Sequence, residues 1–279
     1  EIALHMAAGE YAQQTGIRRK DELGLLADSM DILSEKLVDA EEFRENLEQN
    51  RRDFFSNVSH ELRTPITVVK GYAETLADGY VDNPAKQQEY YERIRKECAG
   101  MERLVADLLI LSKMQNPDFE MNLEVLNVIA VMRDVMRSMR VMCADRKITA
   151  DLQYNDECSL IEGDYDRIRQ LFLILFQNAV KYADEGTEIT IRIHRADGKL
   201  LVSMEDTGIA IPKEEWENVF EKFYRASNHG NKDGSGLGLM VAKHIVARHF
   251  GKIWVTSDEV KKTCFYIEFP ECSEEAMNP

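Results

Sequence analysis

The sequence predicts two structural classes in succession: a long all-helical hairpin and, behind it, an α/β sandwich. Three observations carry this reading. Leu26, Met30, Leu33, Leu37 and Ala40 recur in alternating steps of four and three, which is a heptad seam on one helix. Tyr91, Ile94, Cys98, Met101, Val105 and Leu108 repeat the same spacing on a second helix. Beyond Gln115-Asn-Pro-Asp118 the period changes, and Ile189, Ile191 and Ile193 alternate as in a half-buried strand.

Taken in order, residues 26–80 read as one long helix. Arg44 and Arg51 interrupt its seam before Phe54 and Val58 resume it, as in a coiled coil that changes register or widens into a bundle. A loop at 79–83 follows, and Pro84 suits the first position of a new helix capped by Asp82 or Asn83. Leu104 and Leu111 widen the second stripe beyond a two-stranded seam. One hairpin cannot bury stripes this wide, so the expected solution is two copies paired into a four-helix bundle, a homodimer.

The second half alternates helix and strand. Val128, Met132, Val135, Met136, Met139 and Met142 form one helix face, and such methionines are expected to be core filler. Short strands are expected near 148–152 and 159–162, then an apolar helix over 165–182. A hairpin turning at Asp197-Gly198 joins strands near 189–193 and 200–204. A polar segment over 213–233 leads to Gly234-Ser-Gly-Leu-Gly238 and a helix ending near Phe250, and strands at 252–257 and 263–269 complete the sandwich.

Length and composition narrow the function. At 279 residues the chain holds two domains of ordinary size. With 35 basic against 50 acidic residues, net charge −15, it lacks the concentrated basic face that nucleic acid requires. Cysteines 98, 143, 158, 264 and 272 are scattered without a C-x-x-C pair, which reads as reduced thiols rather than a disulfide framework or zinc site. The longest apolar run, 171–176, is far shorter than the roughly 20 residues that cross a bilayer. The chain begins at Glu1 without a Met, so the expectation is a fragment whose membrane anchor lies upstream.

Two constellations carry chemistry. His60 sits on an amphipathic helix with Glu61 beside it, Thr64 one turn later and Pro65 next to that Thr. Glu61 suits proton acceptance from, or orientation of, an imidazole that must attack as the neutral base. Pro65 removes a backbone donor and is expected to bend the helix. Downstream, Asp206 in the turn Asp206-Thr-Gly208 can accept a hydrogen bond from an exocyclic amine such as that of adenine. Asn178 offers a metal-binding amide oxygen, and Lys181 a cation for phosphate. Gly234, Gly236 and Gly238 lead into a helix whose N-terminal amides suit phosphate oxygens. The loop lacks the Lys-[Ser/Thr] of a P-loop and opens no Rossmann unit. A phosphoryl acceptor and a nucleotide site in one chain point to a reaction between them. The other histidines, His5, His194, His229, His244 and His249, have no such context and read as structural or surface residues.

At these residues the chain resembles the sensor histidine kinases of bacterial two-component systems. Ser-His-Glu-Leu-Arg-Thr-Pro around His60 resembles the H-box, Gln177-Asn-Ala-Val-Lys-Tyr182 the N-box, and residues 205–212 the first glycine box. Phe220-Glu-Lys-Phe-Tyr-Arg225 resembles the F-box and residues 233–239 the second glycine box. Gly9 and Asp21-Glu-Leu-Gly24 are similar to the end of a HAMP signal relay. The resemblance implies a partial HAMP and signalling coiled coil over 1–40, a dimerisation and histidine phosphotransfer domain over 41–115, and a hinge linker over 116–126. An ATP-binding domain of the gyrase, chaperone and histidine kinase type over 127–270 and a flexible tail over 271–279 complete it. It also implies a cytoplasmic portion of an inner- or plasma-membrane sensor.

The roles it implies are specific. His60 attacks the γ-phosphate of ATP, and Thr64 helps position a water for dephosphorylating a response regulator, whose receiver-domain Asp otherwise takes the phosphoryl group. Asn178 holds Mg²⁺, Asp206 reads adenine, and Tyr182, Gly208, Gly234, Gly236 and Gly238 line the nucleotide. Lys181, Lys222 and Arg225 lie near its phosphates. Two positions depart from the family pattern: Ala210 stands where a second glycine is usual, and Ile174 where a polar residue is common. These leave open a competing reading, a dimeric scaffold or phosphatase-biased switch with an impaired nucleotide pocket. An unrelated ATPase of the same superfamily is disfavoured by the hairpin bearing His60.

Overall fold

The structure, a computed structural model, describes residues 2–116, 119–157, 159–196, 198–224, 226, 236–258 and 262–272. It divides into two compact units, residues 1–64 and 65–279, with the division inside one long helix.

The first unit begins with a short helix, α1 (Ile2–Ala7), and continues into the first part of α2 (Glu22–Ala77). Between them residues 10–19 run back along α2. The Thr15 backbone N–H and hydroxyl both donate to the Asp31 carboxylate, at 2.6 and 2.9 Å. The Ser34 hydroxyl meets the carbonyls of Tyr11 and Gln13. Asp21 caps α2 by accepting from the Gly24 N–H at 3.1 Å. Gly24 has no room for a side chain, because a Cβ there would lie 2.0 Å from the Arg19 carbonyl oxygen. Arg44 is exposed and bonded to Glu41 and Glu48, both at 2.6 Å, so it belongs to a solvated face.

In the second unit, α3 (Pro84–Gln115) starts where Pro84 predicted, and its cap is Asn83, which accepts from the Ala85 N–H at 2.9 Å. Leu104, Leu111 and Met114 of α3 are buried, and the end of α3 packs against α6 (Gly238–Arg248). Past Gln115, Arg248 donates to the Phe119 carbonyl at 2.6 Å, and the Arg167 guanidinium lies 5.8 Å from the Phe119 ring centre.

The remaining elements form the sandwich. They are β1 (Glu124–Asn127), α4 (Val128–Asp145), β2 (Thr149–Tyr154), β3 (Leu160–Gly163), α5 (Tyr165–Tyr182), β4 (Glu188–Ala196), β5 (Lys199–Thr207), β6 (Lys252–Ser257) and β7 (Lys262–Pro270). Five strands lie in the order β2-β4-β5-β7-β6, with β2 and β4 parallel and the other neighbours antiparallel. Ile189, Ile191 and Ile193, with Leu200, Val202, Met204, Phe265, Ile267 and Phe269, alternate onto one face and are buried there. The helices cover that face, and Phe172, Leu175 and Phe176 of α5 sit fully buried in the core. Each such side chain contributes about 1.5–3 kcal/mol of burial free energy.

Besides α1, which no periodicity announced, two stretches differ from the sequence reading. Residues 124–126, expected to be linker, are strand: β1 pairs antiparallel with β3 as a separate two-stranded sheet. Its partner is more than thirty residues away, and four residues carry too little periodicity to announce a strand. Within 213–233 the structure forms two 3₁₀ turns, Lys213–Glu215 and Asn218–Phe220. Residues 225 and 227–233 of that segment, the tail from 273, and the 117–118 part of the linker lie outside the described residues.

Candidate functional site

His60 is exposed on α2, with Glu61 half-buried and Thr64 exposed. α2 runs through Pro65 without ending, although Pro65 has no N–H to give the Glu61 carbonyl. The Thr64 hydroxyl is directed back to the His60 carbonyl at 3.4 Å, and that of Ser59 to the Phe55 carbonyl at 2.8 Å. Such back-bonding to the preceding turn slightly destabilises a helix and favours bending. The imidazole therefore stands on a continuous scaffold with a carboxylate adjacent and a hydroxyl one turn on.

The second constellation is organised by α5. Ile174, Asn178, Lys181 and Tyr182 fall at three- and four-residue spacing, hence along one side of the helix. At one end of this side a Cβ on Gly238 would sit 3.3 Å from Cγ2 of Ile174, so the glycine loop enters α6 directly against α5. At the other end β5 leaves the sheet and crosses the end of α5. Ala183 and Gly208 form an isolated bridge, the Asp184 N–H donates to the Thr207 carbonyl at 2.7 Å, and a Cβ on Gly208 would lie 2.1 Å from the Tyr182 carbonyl oxygen. Gly208 is thus forced by the crossing. The Lys181 ammonium donates to the Tyr182 hydroxyl at 2.9 Å.

Asp206, two residues before Gly208, is only 3% exposed. Burial, and then the negative charge of Glu205, push its carboxyl up to about 7. Glu205 goes the other way: hydrogen bonds from Lys262 at 2.9 Å and Arg192 at 3.2 Å hold it below the usual carboxylate range. A buried acid thus stands beside an ion-paired one, and carboxylates whose environments push them apart in this way cluster at functional sites.

The chain after Asp206 is anchored by residues that no local motif announced. The Ile211 N–H donates to the Ser257 hydroxyl at 3.0 Å, Ser257 and Thr263 hydroxyls lie 3.0 Å apart, and the Thr263 hydroxyl reaches the Ile209 carbonyl at 3.4 Å. Trp216 donates through its indole to the Ile211 carbonyl at 3.0 Å. Ala210 is therefore spanned by backbone contacts on both sides.

The described part of the polar segment is also held in place. Phe220 is buried and meets Phe265 edge to face at 6.3 Å. Phe223, at φ 59°, donates its N–H to the Gly236 carbonyl at 3.1 Å, and a Cβ on Gly236 (φ 68°) would clash with the Phe223 backbone at 2.7 Å. The positive φ of Phe223 is uncommon for a bulky residue. Lys222 is exposed near His244, whose pKa is lowered by burial and then by the charges of Lys222 and Lys243. Arg225 and Gly234 lie outside the described residues. Within the second unit, α5 carries Asn178, Lys181 and Tyr182, with Gly208 after β5 set against Tyr182, Gly238 of α6 set against Ile174, and Gly236 bonded to Phe223.

Among the described residues no cluster of three or more His, Cys, Asp or Glu could hold a metal ion. A divalent ion here would have Asn178 as its protein oxygen and substrate phosphates for the rest, which is the habit of Mg²⁺. Among the described residues no helix is long and apolar enough to cross a membrane.

Residues 50–117 match the His Kinase A (phospho-acceptor) domain family, and residues 163–273 match the histidine kinase-, DNA gyrase B- and HSP90-like ATPase family. The sensor histidine kinase WalK of Bacillus subtilis is 33% identical over 273 residues, covering 93% of this chain and 44% of that protein. The sensor histidine kinase YclK of the same organism is 31% identical, over 97% of this chain and 57% of its own length. The chain spans about half the length of the curated relatives it matches. Among solved structures, Acinetobacter baumannii histidine kinase AdeS superposes with a TM-score of 0.64 at 25% identity, over 77% of this chain and 98% of that one. Histidine kinase ThkA, in complex with response regulator protein TrrA, superposes with a TM-score of 0.69 at 25% identity, over 88% of this chain and 68% of that one.

Proposed function

Because the chain belongs to the sensor histidine kinases of two-component systems, we propose that it uses ATP to phosphorylate its own His60 and passes the phosphoryl group to an aspartate of a response regulator. The observation that carries this reading is the pairing, in one chain, of an exposed His60 flanked by Glu61 with a buried Asp206 beside the glycine-bounded face of α5. Asp206 reads the exocyclic amine of adenine. Asn178, Lys181 and Tyr182 line the remainder of the nucleotide, with Gly236 and Gly238 admitting its phosphates against the start of α6; Lys222, and Arg225 outside the described residues, are assigned to the same phosphates. Mg²⁺ held at Asn178 would supply neutralisation of phosphate charge.

At His60 a neutral ring nitrogen attacks the γ-phosphorus. The N–P bond forms, the bond to the β,γ-bridging oxygen breaks with its electrons leaving on ADP, and Glu61 takes the proton from the ring. Catalysis is positioning and charge neutralisation, because the metaphosphate-like transition state asks little covalent help of the protein. Thr64 places a water for the reverse duty, hydrolysis of the regulator's acyl phosphate.

The remaining assignments rest on surface and pattern. Exposed Phe43, Leu47 and Phe55 on α2, and Val105 and Leu109 on α3, are apolar surface for a second copy in a four-helix bundle. The α1–connector–α2 start suits a partial HAMP relay, and the whole is read as the cytoplasmic portion of a membrane sensor. The hinge linker expected over 116–126 includes residues 117–118, which lie outside the described residues; a cross-link in that linker is expected to block autophosphorylation.

The test is incubation with γ-labelled ATP and Mg²⁺. Acid-labile, base-stable label on the parent chain and none on His60→Gln is the expected result. Label retained by His60→Gln would sink the assignment of His60. No label on a folded parent dimer would favour the impaired switch, and Ala210→Gly would then be expected to restore it.

A further inference from the structure

We infer that Arg146 is a positioning residue for the nucleotide site, holding the carbonyl end of α5 so that Lys181 and Tyr182 face the substrate. This rests on the nucleotide-binding reading above and adds to it a residue that lies in none of the motifs. Arg146 is the residue that ends α4, and it is half-buried. One guanidinium nitrogen, Nη1, donates to the carbonyls of Val180 and Lys181, the latter at 2.8 Å; the other, Nη2, donates to the Ala183 carbonyl at 3.0 Å. The carbonyl of Arg146 itself accepts from the Gly186 N–H at 3.2 Å. A single residue therefore grips both the last turn of α5 and the loop that follows it.

The need for that grip comes from β5. In a continuing helix the Asp184 N–H would bond the Val180 carbonyl, but here it donates to Thr207 at 2.7 Å. That diversion draws the chain against Gly208 and closes the end of the strand bearing Asp206 onto α5. It also leaves last-turn carbonyls without an intrahelical donor, at the negative end of the helix dipole. Lys181 is one of the residues whose carbonyl Arg146 holds, and Tyr182 lies between two of them. Uncapped, the turn would fray or return to helical bonding, either of which moves the Lys181–Tyr182 pair relative to Asp206. A guanidinium answers this need, since its planar fork reaches several acceptors at once and its permanent charge suits the negative end of the helix. A lysine ammonium has neither the fork nor the reach to three carbonyls.

A plain staple between α4 and α5 would lower thermal stability when removed and leave ligand affinity in the folded protein alone. The experiment measures the dissociation constant of a non-hydrolysable ATP analogue with Mg²⁺, and the KM and kcat of autophosphorylation, for the parent chain, Arg146→Met and Arg146→Lys, with circular dichroism establishing folding. The expected result is a dissociation constant raised about tenfold in Arg146→Met, the scale of one charged hydrogen bond. Arg146→Lys should be intermediate, with KM raised and kcat at saturating ATP retained. If Arg146→Met does not fold, Arg146→Lys decides by the same shift in KM. A folded variant with lowered melting temperature but an unchanged dissociation constant and KM overturns the inference. A parent chain that binds no ATP analogue overturns the nucleotide reading itself, a result distinct from loss in the variants alone.

Discussion

Replacing Asp206 with Asn is expected to change how the stability of the ATP-binding unit depends on pH. Asp206 is 3% exposed, and burial pushes its carboxyl from 3.8 up to about 7. The folded-state value is raised, so the protonated form is the one the fold accommodates. Stability is complete below the unfolded value near 4 and is lost as pH rises toward 7, where the buried group ionises. A difference of about three pKa units corresponds to a full penalty on the order of 4 kcal/mol, of which about 2.5 kcal/mol develops between pH 5 and pH 8. Asn is close to isosteric and carries no such penalty. Asp206→Asn is therefore expected to gain about 2.5 kcal/mol relative to the parent as pH rises from 5 to 8. Guanidinium unfolding followed by tryptophan fluorescence suits the measurement. Both tryptophans of the sequence, Trp216 and Trp254, lie in this unit, the first bonded to Ile211 and the second stacked on Tyr266 at 5.3 Å. Glu205, held below the usual carboxylate range by Lys262 and Arg192, stays ionised from pH 5 to 8 in both proteins, so its own titration adds nothing to the difference over that window. Unfolding free energies that differ by a constant from pH 5 to 8 would refute the argument. The same ionisation bears on ligand: an adenine amine favours the charged carboxylate, so affinity for ATP is expected to rise between pH 6 and 8 with release of a proton. Calorimetry in buffers of different ionisation heat reads that proton directly, and none released would contradict the role given to Asp206.

Other perturbations have equally definite outcomes. Gly208→Ala places a Cβ 2.1 Å from the Tyr182 carbonyl oxygen, so β5 must separate from α5; urea unfolding should record a loss of several kcal/mol, and ATP-analogue titration a loss of binding. Ser257→Ala leaves the Ile211 N–H without its acceptor at 3.0 Å, at an expected cost of about 1–3 kcal/mol, and Ser257→Thr should recover most of it by thermal melts. Phe172→Ala, in the fully buried centre of α5, is expected to cost about 3–5 kcal/mol of unfolding free energy. Wild-type stability in that variant would mean that the core does not rest on this residue.

What could be read along the chain was whatever chemistry acts between near neighbours. Heptad spacing announced α2 and α3, although α2 runs over Glu22–Ala77 rather than the expected 26–80; Asn83 with Pro84 started α3, and the alternation of Ile189, Ile191 and Ile193 with the turn before Lys199 made the β4–β5 hairpin. The order of His60, Asn178, Asp206 and Gly238 likewise suggested the chemistry proposed here, because each residue type has few uses in its local setting. Tertiary structure decided everything that depends on partners far apart in sequence. The pairing of β1 with β3, the Ser257–Thr263 hydroxyls under Ile209 and Ile211, and the reach of Arg146 to the end of α5 carry no periodicity and no motif. The same is true of the acidity of Asp206. Its identity is written in the sequence, but its charge state is set by the loss of water around it, and only the packed fold removes that water.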